Sequence, residues 1–220
     1  MAKQSVSIAI AGYGGTGVIT TGQLLLKTAA RSGYFGLAQR SFGPQIRGGE
    51  SLSLLRFSNQ QVLSPDDVFD LLVLLDTEHV NRFSAEVPLD NNSVVIIAKD
   101  GAPMPEFVTA SGALVVNLAL DTLAAESSDG VENIVAAGLL ANYLGLDHDL
   151  LNQVIEQHFE KKEHLLSQAK HWCSAGWSLA KAEPYCSDIV LEPAQGAAPK
   201  WLVNGSEAAG LGALKAGIRF

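Results

Sequence analysis

An α/β fold is the architecture this sequence predicts: an open, mostly parallel sheet with flanking helices, Rossmann-like, continued by a C-terminal helical segment and an extended tail. Three observations predict it. First, Ser5–Ala11 is a short apolar run leading into Gly12, Gly14, Gly15 and Gly17, and a helix-periodic stretch, Val18–Arg31, follows at once. Second, further apolar runs at Asp70–Leu75, Ser93–Ala98 and Leu114–Leu118 recur between less apolar segments. They are too continuously apolar for strands with one wet face, so they read as strands buried on both faces of a parallel sheet. Third, from about residue 129 the apolar period changes to that of helices.

In chain order, the aromatic Tyr34–Phe42 reads as a second strand, and Gly43-Pro44 as a turn. Gln45–Gly49 is a glycine-rich loop, and Ser51–Phe57 is a strand with polar and apolar residues alternating at first. Ser64–Asp67 is turn-like, with the residues to cap a short helix, and Thr77–Phe83 is expected to begin a helix. Another helix is expected to begin over Leu118–Ala125. Asp129 and Glu132 then resemble a capping pair for a helix with Val131, Ile134, Val135, Leu139 and Tyr143 inward, Gly138 permitting close packing on that face. Asp147 caps the next helix, whose inner face is Leu150, Leu151, Val154, Ile155 and His158. A third helix turns Leu165, Leu166, Ala169, Trp172, Cys173 and Leu179 inward. Proline-rich Ala182–Lys200 reads as a linker along a surface, with Ile189–Leu191 able to pair as an edge strand. From Trp201 the chain restarts, with a strand stub at Leu202-Val203, a turn at Asn204-Gly205 and a small-residue helix capped by Ser206. The expected organisation is therefore an α/β domain over 1–182, a linker over 183–200 and the incomplete opening of another unit over 201–220.

Composition narrows the function. The 220 residues are 47% hydrophobic and 17% charged, as in a globular domain. No apolar run reaches the roughly 18–20 residues that span a bilayer, and the N-terminus lacks the layout of a signal peptide. The expectation is a cytoplasmic protein with no membrane association. Cys173 and Cys186 are the only cysteines, with no metal-ligand spacing around them, and no nucleophilic triad follows from spacing. No catalytic residue and no metal ligand is assigned. Between Met1 and Gly49 there are five basic residues (Lys3, Lys27, Arg31, Arg40, Arg47) and no acid, within a chain of net charge −8. The basic segment suits a phosphate-bearing ligand or an acidic partner, and the acidic remainder argues against a nucleic-acid binder.

Two motifs carry the chemistry. Gly12-Tyr13-Gly14-Gly15-Thr16-Gly17 fits GxGxxG between a strand and a helix, where unpaired first-turn N–H groups and the helix dipole favour an anion. A dinucleotide site also wants an acid about 20 residues on, to hold the ribose. Ser32–Ser41 has none, only Arg40, which leaves an NADP-type site as the alternative and a glycine that merely turns the chain as the plainer one. Arg47-Gly48-Gly49 is the second motif, pairing close backbone approach with a charge for phosphate or carboxylate. If both lie at the carboxyl edge of the sheet, they are neighbours. The candidate binding residues are Gly12, Gly14, Gly15, Thr16 and Gly17 as backbone donors, with Arg40, Arg47, Gly48 and Gly49.

In order, GYGGTGV at Gly12–Val18, GQLL at Gly22–Leu25, Ala29-Ala30, SFGPQIRGG at Ser41–Gly49 and NIVAAGLL at Asn133–Leu140 resemble the gamma subunit or gamma domain of the 2-oxoacid:ferredoxin oxidoreductases. Gln45 stands where an acid is common in that family, and Ile134 and Ala137 replace Met and Leu. The tail, Asn204–Ala208 with Gly210 to Gly217, resembles the opening of the family's alpha domain, one of two that enclose thiamine diphosphate. The resemblance implies the N-terminal part of a fused gamma–alpha subunit. It implies oxidative decarboxylation of a 2-oxoacid (2-oxoglutarate or pyruvate class) with coenzyme A to an acyl-CoA, electrons passing through iron–sulfur clusters to ferredoxin. Thiamine diphosphate, Mg, the clusters and coenzyme A would belong to the assembled enzyme, mostly on other domains, with none held by this chain alone. The partners implied are the alpha domain and a thiamine-binding beta subunit in a hetero-oligomer. This chain, inactive alone, would contribute assembly and part of the substrate or coenzyme A environment, with a purely assembling module as the alternative.

Overall fold

The computed structural model describes residues 2–45, 48–78, 80–99, 101–118, 120, 131–183, 185–186, 189–196 and 198–218. Six strands form one sheet: β1 (Ser5–Tyr13), β2 (Phe35–Phe42), β3 (Glu50–Ser58), β4 (Leu71–Leu74), β5 (Val94–Ile97) and β6 (Leu114–Asn117), in the order β2-β3-β1-β4-β5-β6. β1, β4, β5 and β6 are parallel, β3 is antiparallel to both β1 and β2, and β2 therefore runs with the rest. The mostly parallel expectation holds, with β3 as the one reversed strand. That reversal brings the ends of β1 and β2 and the start of β3 to one edge: Tyr13 stands opposite Glu50, and Phe42 opposite Ser51.

Both faces of the central strands are covered, which is why their apolar runs are unbroken. Ile8, Ile10, Leu55, Phe57, Leu71 and Val73 face the helical side; Ala9, Ala11, Leu52, Leu72 and Leu74 face a second core with Phe83 and Val87. Burying each large side chain contributes about 1.5–3 kcal/mol. α1 (Val18–Arg31) packs on the first face, burying Leu24, Leu25 and Leu26. It stops where Gly33, at φ 86, turns left-handed: Gly33 N–H donates to Ala30 O and Tyr34 N–H to Ala29 O, occupying carbonyls the helix leaves open.

The three later helices are α3 (Glu132–Tyr143), α4 (His148–Phe159) and α5 (Glu163–Ala182). Ten residues of α3 are buried, so it runs inside the molecule. It crosses α5 where two glycines meet. A Cβ on Gly138 would lie 2.0 Å from Cys173 O, and one on Gly176 would lie 1.9 Å from Val135 O. Asp147 caps α4 as expected, accepting from Leu150 N–H at 2.9 Å.

Several expectations need correcting. Among the described residues, Thr77–Phe83 yields one 3₁₀ turn, Val80–Phe83, and Ser64–Asp67 caps no helix. A short helix, α2 (Glu106–Ser111), was not foreseen. His158 is exposed on α4 rather than inward. Asp129, and nearly all of the helix expected over Leu118–Ala125, lie outside the described residues. In the segment read as a linker along a surface, described residues do pair with the domain, Leu191 among them. Lys3 N–H donates to Val190 O, Glu192 N–H to Lys3 O, and Lys200 N–H to Ala30 O, with Leu191 bridging Lys3 in parallel. Leu202-Val203 is not a strand. The last helix, α6 (Gly205–Lys215), is capped by Asn204 rather than Ser206, in a capping box with Glu207, and buries none of its residues.

Candidate functional site

The glycine turn after β1 closes on itself. Thr16 N–H and Thr16 Oγ both donate to Tyr13 O, at 3.0 and 2.7 Å. Gly14 N–H donates to Gly49 O at 2.8 Å, so the turn rests on the loop between β2 and β3. A Cβ on Gly14 would lie 2.9 Å from Gly48 Cα, which explains the glycine there. The two motifs thus stand side by side at the carboxyl edge, where open α/β sheets bind ligands. The geometry also narrows the donor set. The N–H groups of Gly14 and Thr16 are committed within the chain and are not open to a ligand. Gly12, buried in β1, has no room for a side chain, because a Cβ would meet Thr16 Oγ at 2.7 Å.

What stays open is the start of α1. Gly17 is its N-cap, left-handed at φ 78 and ψ 15, with no capping side chain and no acid in the first turn. The first residues of α1 line a cleft of about 270 Å³, together with Tyr13, Gly15 and Ser51. Gly15, at φ 104, is exposed beside it, and nothing lies within 4 Å of where its Cβ would be. Behind Gly17 stands Asn133 of α3, its side chain 2.4 Å from the position of a Cβ on Gly17. Asn133 O accepts from Thr21 Oγ at 3.0 Å, tying the first turn of α1 to α3.

A second hollow, about 110 Å³, adjoins on the other side of Gly14 and shares Ser51 with the first. Phe42, Gly43, Gln45, Gly48, Gly49 and Glu50 line the rest of it. Phe42 is 56% exposed, an aromatic surface at the rim. Gly48, at φ 69, lies against the Tyr13 ring. Arg40 is exposed on β2, opposite Ser53, and makes no ion pair among the described residues. Arg47 lies outside the described residues.

The two cysteines lie away from this edge, both buried. Burial pushes the Cys173 and Cys186 thiols up to about 12, so both stay protonated. Among the described residues no three His, Cys, Asp or Glu side chains could share a metal ion, and no helix is long and apolar enough to cross a membrane. The chemistry available is anion recognition by backbone N–H groups and a helix dipole, beside aromatic surface. Sequence reasoning missed Tyr13, Phe42, Ser51 and Asn133 as parts of this edge. The strand-end positions of the first three were the available signal; Asn133 gave none, because its place behind Gly17 depends on how α3 packs.

Residues 7–178 match the family model described as pyruvate ferredoxin/flavodoxin oxidoreductase. Ketoisovalerate oxidoreductase subunit VorA of Methanothermobacter thermautotrophicus is 26% identical over 80% of this chain, and the match spans 36% of that subunit. 2-Oxoglutarate synthase subunit KorC of Archaeoglobus fulgidus is 28% identical over 73% of this chain and 82% of its own length. The chain therefore spans about a third of one relative and most of the other. Among solved structures, the 2-oxoglutarate:ferredoxin oxidoreductase of Magnetococcus marinus, with 2-oxoglutarate, coenzyme A and succinyl-CoA bound, superposes with a TM-score of 0.84 at 24% identity. That match covers 99% of this chain and 38% of that one. The gamma subunit of the keto/oxoacid ferredoxin oxidoreductase of Geobacter sulfurreducens gives a TM-score of 0.61 at 22% identity, over 80% of this chain and 99% of its own.

Proposed function

The chain belongs to the pyruvate ferredoxin/flavodoxin oxidoreductase family, and from that premise we propose that it is the gamma-type domain of a 2-oxoacid:ferredoxin oxidoreductase. The reaction is oxidative decarboxylation of a 2-oxoacid with coenzyme A, giving an acyl-CoA and reducing ferredoxin. The observation that carries the chain's own part in this is the anion-receptive carboxyl edge, where the start of α1, Gly15 and the Gly48-Gly49 loop converge. The first-turn N–H groups of α1 would hold a phosphate of coenzyme A or the 2-oxoacid carboxylate, with Arg40 and Arg47 as charge partners. A dinucleotide site fits this edge less well. β3 lies between β1 and β2, so the end of β2, where the ribose partner belongs, is a further strand spacing of about 4.8 Å from the glycine turn.

The residues present do not fit an iron–sulfur cluster, which takes four thiolates, whereas both cysteines here are buried and protonated. In this reading the clusters and thiamine diphosphate lie on other domains. Residues 201–220 open the thiamine-binding alpha domain after the 1–182 gamma domain and the 183–200 connection. The exposed apolar side of α6 and the segment before it, with Trp201 83% and Leu214 57% exposed, suits a domain packing there.

The test is to co-express the full reading frame with a thiamine-binding beta partner and to assay 2-oxoacid- and coenzyme A-dependent dye reduction. Activity that needs both partners supports the reading; no turnover with any of several 2-oxoacids overturns it. Arg47→Ala then separates two roles. A ligand contact gives an intact complex with a raised KM for coenzyme A or 2-oxoacid, whereas an assembling role gives a weakened complex.

A further inference from the structure

Glu50 is the first acid in the sequence, and it stands under an edge built to receive anions. Its side chain is 11% exposed, and Oε2 is buried and accepts no hydrogen bond among the described residues. A buried carboxylate oxygen with no hydrogen-bond donor is costly unless a cation compensates it. The cation is Arg82, whose Nη1 lies 3.7 Å from Oε2. Arg82 comes from the 3₁₀ turn after β4, two strands away in the sheet from Glu50 on β3. It is held there by Phe83, which is buried and carries the guanidinium 5.2 Å from its ring centre. A second tie runs in the same direction: Ser41 Oγ donates to Glu86 Oε1 at 3.1 Å.

The carboxylate also explains Gly43, whose φ is not left-handed. A Cβ there would lie 1.9 Å from Glu50 Oε2, so the absent side chain leaves the room in which the carboxylate sits. Gly43 N–H donates to Glu50 O at 2.7 Å, closing the mouth of the β2–β3 connection. From the other end of that connection, Gly49 O accepts the Gly14 N–H of the glycine turn.

We propose that Glu50, neutralised by Arg82, is a positioning residue: the pair clamps the base of the β2–β3 connection and thereby sets the Gly48-Gly49 loop against the glycine turn. Its consequence for catalysis rests on the proposed function, in which that edge holds coenzyme A or the 2-oxoacid. The alternative role for Glu50 is plain electrostatic repulsion, and it has the opposite sign. If its charge merely opposed anions, removing the charge would tighten their binding. If it positions the loop, removing it loosens the loop and weakens binding.

The test uses Glu50→Gln, Arg82→Gln and the double variant in the assembled enzyme, with amide exchange read in peptides spanning residues 40–52. Each single variant is expected to speed exchange there by roughly threefold to tenfold, the scale of a partly buried ion pair. Each raises the KM for coenzyme A or 2-oxoacid, with kcat held within about twofold. The double variant is no worse than either single, because the groups act as a pair. Unchanged exchange in E50Q, or a lowered KM, overturns the proposal. Faster exchange with an unchanged KM for both substrates upholds the clamp and counts against the proposed function instead. Arg82 is partly exposed, so R82Q keeps the test informative should E50Q fold poorly.

Discussion

Replacing Gly17 by alanine sets two physical penalties against each other at the start of α1. The residue is left-handed, at φ 78, where an L side chain costs about 1–2 kcal/mol. Its Cβ would also stand 2.4 Å from Asn133 Nδ2 and Cγ, about 1 Å inside an ordinary contact. Asn133 is 8% exposed and its backbone carbonyl is held by Thr21, so it has little room to yield. Overpacking of this kind costs about 1–3 kcal/mol, which puts G17A at about 2–5 kcal/mol in total. N133A alone loses a buried side chain and should cost about 1 kcal/mol. In the double variant the clash is gone and only the left-handed strain and the lost packing remain, about 2–3 kcal/mol. The cycle therefore predicts a favourable coupling of about 1–3 kcal/mol, measured as urea midpoints at constant m. Effects that add within about 0.5 kcal/mol would refute the claim that Asn133 backs the glycine turn.

Gly176→Ala should destabilise by about 1–3 kcal/mol despite the helix-propensity gain of about 1, because its Cβ meets the Val135 carbonyl. Gly22→Ala meets Ser53 Oγ, which can rotate, and should cost much less; equal midpoints for the two variants would count against the tight α3–α5 crossing. The buried thiols make a pH prediction. Cys173 and Cys186 are pushed up to about 12 from 9.0 by burial, so between those values the unfolded chain has released protons that the folded chain keeps. Stability is then full below about pH 9 and falls as pH rises, by up to about 1.4 kcal/mol per pH unit for each thiol. Urea midpoints between pH 8 and 10.5 check this, with C173A expected to flatten the slope.

What the sequence disclosed was the part governed by local periodicity. β1, α1 and the buried strands were legible because unbroken apolar runs and a 3.6-residue period each admit few solutions. The place of β3 was not legible. Its alternation marks a strand, but nothing local says that it enters between β1 and β2 and runs the other way. The Thr77–Phe83 segment failed for a related reason. It has helical composition, yet Val80, Phe83 and Val87 are spent covering the second face of the sheet in a tighter turn. At the site, the glycines announce themselves, whereas the saturation of Gly14 does not, since its acceptor, Gly49 O, is defined only by folding. Gly138 announces itself as a packing glycine by its place on the helical face; its partner Gly176 does not, because two helices must cross before either needs to be small.

The glycine turn also has a history in the order of synthesis. As the nascent chain leaves the ribosome, residues 12–17 emerge before Gly49 and Asn133, with every φ-permissive position already in place. They are not yet a finished turn. Gly14 waits for the Gly49 carbonyl, and Gly17 waits longer still, until α3 brings Asn133 behind it. A fragment released before residue 131 would own the whole motif and lack its backing. The shortest recognisable stretch of this chain takes its final shape only when residues far along the sequence have joined it.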